Sequence, residues 1–109
     1  EGTANLALEL AWKDADAVYL SFDIDSIDPG FAPGTGTPEP GGFTPREALE
    51  MVRIVAREGL CAMEVVEVSP PYDVNDSTSQ LACRVILDTL GTMVSAGKIG
   101  HRDKVMRPE

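Results

Sequence analysis

Basic residues are scarce in this 109-residue chain: nine Lys and Arg stand against eighteen Asp and Glu, a formal net charge of −9. A surface of that sign repels phosphate backbones, so no nucleic-acid partner is expected. Long apolar runs are also missing. None approaches the roughly 20 residues a bilayer requires, so neither a membrane span nor a membrane partner is expected. No basic leader followed by an apolar stretch opens the chain, and the expected compartment is the cytoplasm. The chain starts at Glu1 rather than Met, which reads as a fragment or a processed piece. Two cysteines, Cys61 and Cys83, sit in apolar segments outside any CxxC pairing. They read as reduced, buried core thiols, with one disulfide as the alternative. His101, the single histidine, lies between Gly100 and Arg102. It reads as a solvent-exposed residue rather than a metal ligand.

What is present fits one small domain. Hydrophobic residues at 43% and charged residues at 25% exclude collagen-like and disordered classes. A chain this short buries one core of modest stability. The acid excess alone reads first as solubility, with cation sites as the alternative.

The pattern of apolar residues predicts five elements. Residues 3–13 read as a helix, with Ala4, Ala7, Leu8 and Ala11 on one face. Residues 17–22, AVYLSF, suit a strand buried on both faces of a parallel sheet. Residues 23–43 follow, rich in Pro and Gly and far longer than an ordinary connection, and read as a structured functional loop. Thr44-Pro45-Arg46-Glu47 is a helix start with cap, first-turn Pro and box-closing Glu. The helix it opens would bury Ala48, Met51, Val52 and Val55 and end at Gly59. Residues 60–68, LCAMEVVEV, read as a second strand ended by Ser69-Pro70-Pro71-Tyr72. Asp73, Asn75 and Asp76 can each cap a helix over 77–97, with Leu81, Val85, Ile86, Leu90 and Val94 inward and Gly97 at its end. The expected division is 1–97 as the folded part and 98–109 as a basic tail. The order α-β-α-β-α predicts an α/β fold: parallel strands, right-handed crossovers and helices on both faces. Two strands are few for a stable sheet, which again points to a missing N-terminal part.

In open α/β sheets, sites form beyond the carboxyl ends of the strands. The first strand delivers Asp23, Asp25 and Asp28 there, and the second delivers Glu67. Alternate residues of an extended chain point the same way, so Asp23 and Asp25 can reach one point. Two carboxylates so close repel unless one is protonated or a cation lies between them, and oxygen ligands suit Mg²⁺ or Mn²⁺. Asp28 before Pro29 reads as a turn residue before it reads as a ligand. Glu67 ends an apolar strand, and a buried carboxylate calls for a cationic partner, either an internal Arg or a cationic substrate. Glu64, at an odd offset from Glu67, would face the other way in a structural or interface role. The run GTGTPEPGG at 34–42 lacks the GK[ST] of a phosphate-binding loop and reads as a wall of a pocket.

Residues 19–49, YLSFDIDSIDPGFAPGTGTPEPGGFTPREAL, resemble the signature of the ureohydrolase family of arginases, agmatinases and guanidinobutyrases. Residues 64–73, EVVEVSPPYD, resemble its second hallmark. The GTGTPEPGG form is similar to the agmatinase and guanidino-acid branch. The resemblance implies a three-layer α/β/α arginase-like fold with two metal ions, usually Mn²⁺ and in the guanidine hydrolases Ni²⁺. By it, Asp23 would bridge the two metals, Asp25 would bind one, and Glu67 would hold the guanidinium of a small guanidino substrate. Gly34, Thr35, Gly36 and Thr37 would form the pocket loop. A hydroxide bridging the metals would attack the guanidinium carbon and release urea and an amine, with no further catalytic side chain. Family members commonly form homo-oligomers, trimers or hexamers. The remaining metal ligands of the family lie in GGDHS-like and DAHxD-like motifs, which this sequence lacks, so the chain alone is expected to be inactive. Free guanidine is the alternative substrate. A non-catalytic fragment or assembly subunit, and a generic cation-binding module, are the alternatives of other classes.

Overall fold

The computed structural model describes residues 2–100. His101 and the rest of the expected basic tail lie outside the described residues, apart from Lys98, Ile99 and Gly100. The elements are α1 (Gly2–Trp12), β1 (Tyr19–Asp23), α2 (Pro45–Arg57), β2 (Ala62–Val66) and α3 (Ser77–Ser95), with short 3-10 turns at Ile24–Ser26 and Pro70–Tyr72. This is the α-β-α-β-α order that the pattern predicts. No helix is long and apolar enough to cross a membrane among the described residues.

β1 and β2 pair in parallel, from Tyr19 opposite Ala62 to Asp23 opposite Val66. Parallel pairing brings both carboxyl ends to one edge, and α2 makes the crossover between them. α2 starts where the sequence says it should. Thr44 Oγ1 accepts the Glu47 N–H at 3.3 Å, and Glu47 Oε2 accepts the Thr44 N–H at 2.8 Å. The Thr44 N–H and the Thr44 hydroxyl, which both donate to Glu47 Oε2, hold the Glu47 carboxyl below its ordinary pKa. At the far end Gly59, at φ +87°, takes the left-handed turn that stops the helix.

The core is one cluster: Phe22, Ile24, Ile27, Ala32, Ala48, Val52, Ala82 and Val85, with Leu49, Met63, Val65, Val68 and Leu81 packed around it. It lies between α2, α3 and one face of the sheet. Arg53 of α2 and Arg84 of α3 both donate to Asp88, at 2.9 and 2.6 Å through their Nε atoms, which ties the two helices outside that core. Burial pushes the Asp88 carboxyl pKa up, but the two guanidinium groups outweigh it and hold it below the usual range.

Several expectations are corrected. The strands are shorter than 17–22 and 60–68 suggest, and β1 is not buried on both faces. Leu20, Phe22, Met63 and Val65 alternate toward the helices, while Tyr19, Ser21 and Glu64 are exposed on the other face. Among the described residues α2 and α3 pack together on one face of the parallel sheet, an α/β fragment as the element order predicts. The buried stripe of α3 is Thr78, Ala82, Val85, Thr89 and Met93, and Ile86, Leu90 and Val94 are exposed. Apolar residues are spread over more than one face of that helix, so periodicity could not choose the inner face. Its inner threonines are tolerated because their hydroxyls are paired: Thr89 Oγ1 donates to Val85 O at 2.8 Å, and Thr78 Oγ1 accepts an N–H. In α1 only Ala4 is buried, with Ala7 and Ala11 exposed. In α2, Ala48, Val52 and Ala56 are buried, and Met51 and Val55 are half-buried. Cys61 and Cys83 are free but exposed, one just ahead of β2 and the other on the outer side of α3.

Candidate active site at the carboxyl edge of the sheet

β1 ends on Asp23, and the chain turns at once into the 3-10 turn Ile24–Ser26. Ile24 and Ile27 drive that turn: at 0% and 1% exposure they are fully inside the core. Burying them leaves Asp23, Asp25 and Ser26 on the rim. Asp23 Oδ1 caps the turn by accepting the Asp25 N–H at 3.1 Å, and Ser26 Oγ donates to Asp23 O at 2.7 Å. The two carboxylates are therefore neighbours, but through a capped turn and not through the strand alternation that the sequence suggested. Asp25 Oδ2 accepts the Thr37 hydroxyl at 2.8 Å. Asp23 Oδ2 and Asp25 Oδ1 have no hydrogen-bond partner, and neither residue forms an ion pair, among the described residues.

Asp28 does structural work. Its oxygens accept the N–H groups of Gly30 at 2.8 Å and Gly41 at 2.9 Å. Those amides hold the Asp28 carboxyl below its ordinary pKa. The two ends of the long loop are joined there as well, since Asp28 N–H donates to Phe43 O and Phe43 N–H to Ser26 O, each at 2.9 Å. Gly42 permits that closure, because a Cβ there would lie 2.6 Å from Asp28 N.

The pocket-loop residues divide into two pairs. Gly34 and Thr35 are buried; Gly36 and Thr37 are exposed. Gly34 O accepts the Ser69 N–H at 2.7 Å, and Thr35 bridges antiparallel to Val68. The loop is thus a strap lying across the exit of β2, within reach of Asp25 on one side and next to Glu67 on the other. Thr35 Oγ1 is buried with no partner among the described residues.

Glu67 departs from expectation. β2 ends at Val66, and Glu67 takes a left-handed conformation at φ +68°. It is exposed, so the buried carboxylate inferred from its apolar neighbours is not found, and no internal Arg pairs with it among the described residues. A non-glycine residue there costs about 1–2 kcal/mol, and such strain gathers at functional positions. Glu64, on the open sheet face, accepts the Ser21 hydroxyl at 2.8 Å. Hydrogen bonds from Tyr19 and Ser21 lower its pKa, which fits the structural role read for it.

The donor set at this edge is hard oxygen with unsatisfied lone pairs and, among the described residues, no competing cation, which suits a divalent ion. It is incomplete: no group of three His, Cys, Asp or Glu side chains able to hold a metal ion occurs among the described residues. Two concave surfaces, between α1 and α2 and between α2 and α3, lie away from these carboxylates. Sequence reasoning missed Asp73 and Thr78, which meet the Gly34 end of the loop: Thr78 Oγ1 accepts the Gly34 N–H at 2.8 Å, and Asp73 accepts the Thr78 N–H at 3.0 Å. Their trace in the sequence is an acid followed by a Ser-Thr-Ser run, Asp73 then Ser77-Thr78-Ser79, in which Asp73 reads only as a helix cap.

Residues 2–91 match the model of the Arginase family. The guanidino acid hydrolase, mitochondrial, of Homo sapiens is 48% identical over 73 residues, covering 67% of this chain and 21% of that protein. The guanidinobutyrase of Pseudomonas aeruginosa is 52% identical over 73 residues, covering 67% of this chain and 23% of its own length. The solved structure of proclavaminate amidino hydrolase from Streptomyces clavuligerus superposes with a TM-score of 0.78 at 43% identity, over 87% of this chain and 31% of that one. The chain spans less than a third of each of these relatives.

Proposed function

The chain belongs to the Arginase family, and from that premise we propose that it supplies one part of the centre of a hydrolase that cleaves a guanidino group to urea and an amine. The observation that supports this reading most is the Asp23–Asp25 pair. Two carboxylates are fixed on the rim by the buried Ile24 between them, each with an oxygen free and no cation opposite among the described residues. In this reading Asp23 and Asp25 hold divalent ions, Mn²⁺ first and Ni²⁺ as the alternative. Bound there, two such ions supply Lewis acidity and an activated water. Asp25 keeps its geometry through the Thr37 hydroxyl. Glu67, exposed and strained beside the strap, receives the guanidinium of the substrate. A cation of delocalised charge is a natural partner for a carboxylate that pairs with no Arg among the described residues.

Agmatine or a guanidino acid is the proposed substrate class, on the names of the relatives at about half identity. With fewer than three ligands gathered among the described residues, the centre draws the others from polypeptide beyond them, and the active species is a larger protein, proposed as a homo-oligomer. The reading is tested by urea release from agmatine, guanidinobutyrate and guanidine with Mn²⁺ or Ni²⁺. The chain is assayed alone and together with an N-terminal half carrying the missing ligands. Urea is expected from the complete protein only, and Asp25→Ala should bring it below detection. Urea from the chain alone would contradict the need for outside ligands. No urea from any combination would favour a non-catalytic assembly subunit.

A further inference from the structure

Thr78 is polar yet fully buried at the start of α3. Its Oγ1 accepts the Gly34 N–H at 2.8 Å. Asp73, five residues earlier, accepts the N–H groups of Val74 at 2.9 Å and of Thr78 and Ser79 at 3.0 Å each, together with the Ser79 hydroxyl at 3.0 Å. The buried Thr78 hydroxyl is engaged by the Gly34 amide and the Thr78 amide by Asp73, so residue 78 is tied on both sides. Gly34 is held in the same corner. A Cβ there would lie 2.9 Å from Cβ and Cγ of Asp73 and from Cβ of Thr78. From that corner the strap runs along Val68–Ser69 and on to Thr37 at Asp25.

We propose that Asp73 and Thr78 are positioning residues for the strap. They clamp Gly34 against the exit of β2, and so set where the Thr37 hydroxyl meets Asp25. Neither side chain reaches the carboxylate rim, so neither is a catalytic residue. The effect on turnover rests on the guanidino-hydrolase reading; the clamp itself does not.

The test uses the complete protein that carries this chain, with Thr78→Val, Thr78→Ser and Asp73→Asn. Thr78→Val keeps the shape and removes the hydroxyl. Hydrogen exchange at Gly34 and Ser69 should speed up about tenfold, the effect of losing one buried hydrogen bond, with α2 unchanged. Thr78→Ser restores the acceptor and should exchange as the wild type does, while Asp73→Asn should loosen the same two amides. In the urea assay kcat/KM should fall with Thr78→Val and recover with Thr78→Ser. Wild-type exchange at Gly34 in Thr78→Val, equal loosening in Thr78→Ser, or the same acceleration in α2 would each overturn the clamp. A wild-type protein that releases no urea would sink the guanidino reading, while the exchange data would still decide the clamp.

Discussion

The two arms of the carboxylate edge are built in opposite ways. The Asp23–Asp28 arm is over-determined: Ile24 and Ile27 are sunk in the core, Asp23 caps its own turn, and Asp28 holds two loop amides. The Glu67 arm has none of that support. One exposed carboxylate sits in a left-handed conformation between a strand end and the strap. A pair of carboxylates that must share a cation has to be held against mutual repulsion, and burying the residues between them does so. A carboxylate that must meet an incoming cationic group gains from being turned out of the strand, even at a cost in backbone energy.

The contrast breaks most readily at Ile24. Ile24→Ala should cost about 2–5 kcal/mol in denaturant unfolding, and the Asp23–Asp25 turn should lose its order with the core. A loss no larger than that of a surface substitution would mean that the turn is held by its hydrogen bonds alone. At the other arm the sign reverses. Glu67→Gly should raise stability by about 0.5–1 kcal/mol, relieved strain exceeding the added chain entropy, while removing turnover of a guanidino compound. A destabilised Glu67→Gly would show that the side chain supports the fold. The smallest effect is in acid. The Gly30 and Gly41 amides lower the pKa of Asp28 from its ordinary 3.8. Its contribution is therefore present above that pH and is lost as pH falls below it toward the folded value. Asp28→Asn should flatten the fall of stability in that range, measured by denaturant unfolding as the pH is lowered.

Much of this was legible in the sequence. The Thr44-Pro45-Arg46-Glu47 box, the Gly59 stop and the parallel pairing follow from local chemistry and connection length, and the structure has each of them. Asp23, Asp25 and Glu67 were visible as acids at strand ends. What escaped was what depends on tertiary choice. Apolar residues on more than one face of α3 give no sign of which side turns inward, and periodicity favours Ile86, Leu90 and Val94 over Thr78 and Thr89. Alternation along a strand predicts direction only while the strand lasts; Ile24–Ser26 is a turn, and Glu67 has left β2. The Thr78–Gly34 contact spans 44 residues, beyond the reach of any local pattern.

The division of labour between the arms is tested most directly by Mn²⁺ titration calorimetry on the complete protein bearing Asp25→Ala or Glu67→Ala, alongside urea release. Asp25→Ala should lose both metal binding and urea. Glu67→Ala should keep the metal and lose turnover through a raised KM for the guanidino compound. Metal loss in Glu67→Ala, or unchanged metal binding in Asp25→Ala, would contradict the account.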